Sequence, residues 1–390
     1  MIYNHYSAKL SELDMQIIES VPPGGNWKDV PESVPSKRLE QIRESYKRGE
    51  GSRSTYYGRL LPNRPSYTIS TIFYRPGNGC NMHYSQNRLI SQREAARLQT
   101  FPDSFRFYGG SKTSICEQIG NAVPALLAYQ IAKAFPYKGM FVDLFCGAGG
   151  LALGFVWAGW KPIIANDIKA EAIQTHKANI AGEAICGDIN SEEVIKAIVE
   201  AVDKARIENP HLPLYVLGGP PCQGFSTANT RRGGEDTRNW LFKAYIKVVK
   251  AIHPDGFVFE NVKGITNLEK GSFFKMITDA LEKCVETIRV NRVNAADFGI
   301  PQRRERVIII GGKREIVEEF EIKQITTASL EPQLFGFPQV IGVKDALDDL
   351  PEIEQSEDGS ELDYRFEPCN PFQKLMRGYI TPEEYLNSYS

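Results

Sequence analysis

The chain has 390 residues, room for one large domain and a smaller companion with separate cores. Apolar residues make up 42% and charged residues 24%, as in a soluble globular protein, and no apolar stretch approaches the roughly 20 residues that cross a bilayer. The formal charge of −2 announces no polyanion partner, and seven scattered cysteines without C-x-x-C spacing argue against a zinc site or disulfide framework and for a reducing cytoplasm. The N-terminal stretch MIYNHYSAKLSELD is charged and lacks the apolar core of a signal peptide. The first 85 residues are rich in Pro, Gly, Tyr and Arg with little periodicity, and residues 36–64 carry Lys37, Arg38, Arg43, Lys47, Arg48, Arg53, Arg59 and Arg64 against few acids. PALLAYQIAKAF at 124–135 has the spacing of an amphipathic helix. From residue 140 the pattern becomes strand, turn, helix. MFVDLF, KPIIAND, EAICGD, LYVLGG, FVFEN and RVIIIGGK read as strands, with helical stretches such as LALGFVWAGW, SEEVIKAIVEAVDKARIE and FFKMITDALEKCVETI between them. Such alternation predicts an α/β fold with a parallel sheet covered on both faces. The last 45 residues are irregular and begin acidic.

Two places carry chemistry. DLFCGAGG puts glycines where a strand turns into a helix, so backbone N–H groups can approach a ligand. Asp167 ends the next strand, where a carboxylate can hold ribose hydroxyls, and Asp188 ends the third. A dinucleotide site would explain a glycine turn equally well, but GAGG lacks the G-x-G-x-x-G fingerprint. GGPPCQGFS at 218–226 follows the fourth strand, its two prolines fixing the backbone before Cys222. Glu260 and Asn261 end the fifth strand, and Gln302, Arg304 and Arg306 follow in GIPQRRERV. A thiol, a carboxyl and two arginines beside a nucleoside cofactor suit electrophilic chemistry on a base.

PCQGFS, ENV, QRRER and DLFCGAGG, with EDTRNWLF at 235–242, RLISQREAARLQTFPDSF at 88–105 and QIGNAVPALLA at 118–128, resemble the blocks of the C5-cytosine DNA methyltransferase family over roughly residues 88–350. The resemblance implies a Rossmann-like S-adenosylmethionine-dependent methyltransferase fold with a smaller target-recognition domain. Cys222 then resembles the nucleophile that adds to C6 of a flipped cytosine, Glu260 the group acting on N3, Asn261 its positioner and Arg306 the holder of O2, with Arg304 supporting the site. Phe145, Cys146, Gly147, Gly149, Gly150, Leu151, Asp167, Ile168, Asp188, Ile189, Gly219, Pro221, Leu241, Asn121 and Ala122 would line the S-adenosylmethionine pocket, from which S-adenosylhomocysteine leaves. Residues 223–240 would form a mobile loop. Gln223, Ser226, Arg231, Arg232 and Arg238 there, with Arg53 and Arg59 in the N-terminal segment, would meet duplex DNA. Trp27 reads as core. Arg93 and Arg97 stay open between phosphate contacts and helix-surface pairs.

In the family's usual order GNAVP comes last, whereas here it precedes DLFCGAGG, so the chain resembles a circular permutant with neighbouring termini. The expected division is a small domain at 1–110, a catalytic domain at 111–345, and a hinge with the rest of the recognition region at 346–390. The resemblance implies a cytoplasmic prokaryotic monomer without a membrane partner, serving a restriction–modification system beside a cognate restriction endonuclease. The rivals are a tRNA methyltransferase of the same chemistry and a non-catalytic DNA-binding protein.

Overall fold

The computed structural model describes residues 2–51, 55–221, 238–329 and 331–389. Packing divides the chain into two units: Met1–Ala122 with Ala296–Arg304 and Gln324–Ser390, and Val123–Ala295 with Glu305–Lys323. The divide therefore falls at other places than residues 110 and 345, with 111–122, 296–304 and 324–345 all in the first unit.

The first unit contains helices where the sequence shows little period. Helix α1 (Glu12–Ser20) starts from a capping box of Ser11 and Asp14, and α2 (Lys37–Lys47) from Ser36. Ile17, Ile18, Trp27, Leu39, Ile42, Met82 and Leu89 close a core between them. Helix α3 (Gln92–Leu98), capped by Ser91 and Glu94, is buried along its whole length despite carrying Arg93, Glu94 and Arg97. Those two arginines make neither phosphate contacts nor surface pairs. Arg93 donates to the carbonyls of Tyr3, Pro102 and Phe105. Arg97 grips Asp103 at 2.8 and 2.6 Å, Asp349 and the Ala346 carbonyl, while Arg377 meets Asp349 from the other side and Tyr364 donates to Asp103. Helix α4 (Lys112–Asn121) follows.

The C-terminal segment belongs to this unit. Phe372, Met376 and Tyr385 are buried, and the Tyr385 hydroxyl donates to the Gly299 carbonyl. The N-terminal segment runs along residues 351–360, with Ser356 N–H on the Ser7 carbonyl and Gly359 N–H on the His5 carbonyl.

The second unit holds, among the described residues, a seven-stranded sheet: β1 (Met140–Leu144), β2 (Lys161–Asp167), β3 (Glu183–Cys186), β4 (Leu214–Gly218), β5 (Gly256–Val262), β6 (Thr287–Asn294) and β7 (Glu305–Gly312). The order is β3-β2-β1-β4-β5-β7-β6, parallel through β5, with β7 antiparallel to both β5 and β6. This is a Rossmann-like sheet. The chain reverses its direction of travel between β1 and β4, and the crevice outside the carboxyl ends of the strands at such a point is where ligands of doubly wound sheets bind. Helix α5 (Ala125–Lys133) packs against α6 (Gly150–Trp157) and reaches β1 through a short connection. Helices α7 (Ala170–Asn179), α8 (Glu192–Glu208), α9 (Arg238–Ile252) and α10 (Ser272–Glu282) complete the layers. The helix read as running to Ile288 stops at Glu282, and the edge strand β6 takes over from Thr287; only Val293 in it is buried, so no apolar alternation marked it. Among the described residues no helix is long and apolar enough to cross a membrane.

The Arg97 network sets a stability expectation. Arg97→Met strands parts of two buried carboxylates and should cost about 3–5 kcal/mol, read as a lower urea midpoint. An unchanged midpoint would mean that Asp103 and Asp349 do not need the cation.

Candidate active site

The turn between β1 and α6 is built from left-handed residues: Phe145 (φ 55°), Gly147 (φ 53°) and Gly149 (φ 96°). A β carbon at Gly147 would meet nothing within 4 Å, so this side of the turn is open to a ligand. The Asp167 carboxylate accepts the N–H groups of Gly147 and Lys169, each at 2.9 Å, which ties the end of β2 to the turn. Ile168 beside it is 67% exposed, an apolar face flanked by the exposed carboxyl of Asp188 past β3. An open glycine turn, an apolar platform and two strand-end carboxylates fit a nucleoside with a charged tail, as S-adenosylmethionine is. Cys146, Gly150, Leu151 and Ile189, in or near the same strand ends, are buried. Leu241, in the first turn of α9, is half-buried against the core. Asn121 and Ala122 end α4 in the first unit.

Beneath the turn lie two polar groups that the sequence reading passed over. Both ring nitrogens of His176 and Oδ2 of Asp143 are buried without a hydrogen-bond partner among the described residues. Burial lowers the His176 imidazole to about 4. Burial first, and the charge of Asp167 second, push the Asp143 carboxyl up to about 8. The signal was an acid inside the apolar run MFVDLF.

The second half of the site lies at the end of β5. Val262 is opposite Arg306 in the β5–β7 ladder, which puts Glu260 and Arg306 diagonally on one face. Glu260 Oε1 receives Arg306 Nε at 2.7 Å, with both side chains nearly buried. Arg306 Nη1 also donates to the Glu305 carbonyl. A β carbon at Gly219 would sit 2.8 Å from Glu260 Oε2, so the absence of a side chain there keeps the second carboxyl oxygen clear. Asn261 donates to the Pro220 carbonyl at 3.0 Å. It therefore steadies the Pro220–Pro221 step rather than Glu260, and Pro221 itself is exposed.

Other expectations change. Arg59 does not face DNA: it is 4% exposed, and its guanidinium donates to the carbonyls of Ile18, Val21, His83 and Gln86 and to Asn87 Oδ1. A cation with its donors spent on interior carbonyls has none left for phosphate. Arg304 is 1% exposed and binds the carbonyls of Ile69, Gly120 and Ala122, so its Nη donors support the backbone of the first unit. Cys222, Gln223, Ser226, Arg231, Arg232 and Arg53 lie outside the described residues. Arg238 opens α9. Among the described residues no group of three or more His, Cys, Asp and Glu side chains could hold a metal ion.

The strand order, with β7 reversed beside the edge and an open glycine turn after β1, defines the Rossmann-like methyltransferase class of α/β fold. Within it, the profile of C-5 cytosine-specific DNA methylases matches residues 4–136 and 139–375, and the chain belongs to that family. It is 32% identical over 260 residues to the Type II methyltransferase M.AgeI of Thalassovita gelatinovora, covering 62% of this chain and 58% of that one. To M1.HphI of Haemophilus parahaemolyticus it is 34% identical over 175 residues, covering 44% and 45%. To M1.ScrFI of Lactococcus lactis subsp. cremoris it is 33% identical over 214 residues, covering 55% and 51%. The chain thus spans about half the length of the curated relatives it matches.

Asp143 gives a pH expectation. Its folded pKa lies above the unfolded value of 3.8, so its contribution is complete below about pH 4 and is lost as pH rises to about 8. Between pH 5 and pH 8 the wild type should lose roughly 4 kcal/mol more stability than Asp143→Asn, measured from urea midpoints. Equal losses would contradict a neutral buried acid.

Proposed function

We propose that this chain transfers a methyl group from S-adenosylmethionine to carbon 5 of cytosine in duplex DNA. The observation that carries the reading is the nearly buried Glu260–Arg306 pair beside the glycine and prolines that lead to Cys222, in a member of this family. Carbon 5 of cytosine is a poor nucleophile until a group adds at carbon 6. Cys222, as thiolate, would form the bond to carbon 6 of a base flipped out of the helix. Glu260, with Oε2 clear of side chains, would place a proton at N3, which takes up the electron pair displaced by the addition. Arg306 would face O2 while holding Glu260 by its other oxygen. Asn261, by holding the Pro220 carbonyl, would keep the approach to Cys222 rigid. When bound, S-adenosylmethionine supplies an electrophilic methyl on a sulfonium sulfur and leaves as S-adenosylhomocysteine. Phe145, Gly147, Asp167, Ile168 and Asp188 would hold it, and Gly219, Pro221 and Leu241 would complete the pocket. Loss of the carbon 5 proton to solvent base, expulsion of Cys222 as thiolate and return of the N3 proton to Glu260 would then restore the ring.

We also read the chain as a circular permutant. GNAVP precedes DLFCGAGG, α5 enters β1 through a short connection, and both terminal segments pack into the first unit. By analogy with its Type II relatives it would be a monomeric cytoplasmic modification enzyme paired with a restriction endonuclease.

Tritiated S-adenosylmethionine offered with duplex DNA and with tRNA tests the reading. Label should enter duplex DNA, be absent with Cys222→Ser, and enter about 100- to 10,000-fold more slowly with Glu260→Gln. Label in tRNA alone would refute it.

A further inference from the structure

The arginines of the first unit are mostly spent. Arg59, Arg93 and Arg304 hold interior carbonyls and Arg97 holds buried carboxylates, while Arg48 and Arg365 pair with acids at the surface. Arg38 and Arg75 lie over the rings of Tyr56 and Tyr74. Arg303 differs. Its side chain is exposed, its Nη2 donates to the Ala328 carbonyl at 3.2 Å, and among the described residues no carboxylate pairs with it.

The backbone of Arg303, by contrast, is held on both sides. Its N–H donates to the Ser66 carbonyl at 2.8 Å, and its carbonyl accepts Thr68 Oγ1 at 2.8 Å. Ser66 N–H donates to the Pro301 carbonyl at 2.9 Å, which makes a short parallel bridge of Ser66 on Gln302. Ser66, Ile69, Gln302 and Arg304 turn inward, each 1% exposed or less. Gln302 Oε1 accepts the Ile69 N–H and Arg304 Nη1 donates to the Ile69 carbonyl, each at 3.1 Å, so the inner side of this ribbon is closed. The outer side carries Tyr67, 47% exposed, with Arg303 opposite it in the register. Strands so paired lie about 4.8 Å apart, so the phenol and the guanidinium share one exposed face.

A phosphodiester offers two charged oxygens, and a planar guanidinium meets them with two parallel N–H groups. Ordering a contact residue on binding costs affinity, and here the backbone is already ordered in the free protein, so less is lost. We propose that Arg303, carried on the Ser66–Gln302 ribbon, is a phosphate contact of the target duplex that sets the position of the first unit on DNA without reading its sequence. The proposal rests on the reading that duplex DNA is the substrate. A contact of this kind weakens with salt, because it releases a counterion from the DNA, and it acts alike on every sequence.

The test uses the full chain and two fluorescently labelled duplexes, one that accepts methyl groups in the tritium assay and one that does not. Dissociation constants are measured between about 50 and about 200 mM salt for the wild type, Arg303→Gln, Arg303→Lys and Arg303→Glu. Arg303→Gln should weaken binding of both duplexes about tenfold, and should make the plot of log affinity against log salt shallower by about 0.9. Arg303→Lys should keep the wild-type slope, and Arg303→Glu should bind more weakly than Arg303→Gln. An unchanged slope in Arg303→Gln means that no counterion is displaced at this residue and overturns the proposal. A loss confined to the duplex that accepts methyl groups means that Arg303 reads bases, and overturns it too. Should Arg303→Gln fail to fold, Arg303→Lys against Arg303→Glu gives the same decision, equal slopes being the contrary result. A wild type that binds neither duplex would sink the functional reading itself, a result visible before any variant is compared.

Discussion

The carboxyl edge of the sheet turns on one contact, the guanidinium of Arg306 against the carboxyl of Glu260 across β5 and β7. Its geometry follows from strand direction. Because β7 runs antiparallel to β5, its first residues lie against the last residues of β5, and the residue opposite Val262 is Arg306. A parallel β7 would have put its carboxyl end there. Two nearly buried opposite charges are tolerable only as a pair, so each fixes the other, and neither can be removed without leaving a charge without its partner. Gly219 and the Asn261–Pro220 bond then decide what shares that edge: a clear carboxyl oxygen on one side and a rigid proline step on the other.

The first unit is held by a different use of the same side chain. It contains few strands and many loops, so its interior is lined with carbonyl oxygens that no ladder pairs. Arg59, Arg93, Arg97 and Arg304 supply the donors, and between them they reach carbonyls or carboxylates from residue 3 to residue 349. The guanidinium is suited to this because it is planar and weakly hydrated for a cation, and carries five N–H groups. Charge that looks like surface in the sequence therefore acts as internal cross-linking.

That difference explains what could be read in advance and what could not. Strands β1, β2, β4, β5 and β7 are apolar runs ending at turn residues, and strands buried inside a sheet covered on both faces must be apolar on both, so they were legible. Strand β6 lies at the edge with only Val293 buried, and nothing in TIRVNRVN forces alternation. The glycine turn, Asp167, Asp188, Glu260 and Arg306 stand where strand ends put them, a position that spacing alone conveys. The placement of Arg59, Arg93, Arg97 and Arg304 depends on carbonyls far away in sequence, such as Tyr3 for Arg93 and Ile69 for Arg304, and composition carries no trace of such pairings. Asp143 was hidden by the opposite effect: its neighbours are so apolar that the acid read as part of the strand.

The most direct measurement is to present the protein and S-adenosylmethionine with duplex DNA in which cytosine is replaced by 5-fluorocytosine, then digest the product and map any cross-linked peptide by mass. Fluorine cannot leave as a proton does, so the adduct should persist, carrying one added methyl group and attached at Cys222. Ordinary duplex methylated at a normal rate with no adduct on the fluorinated one, or an adduct at any other residue, would contradict the account.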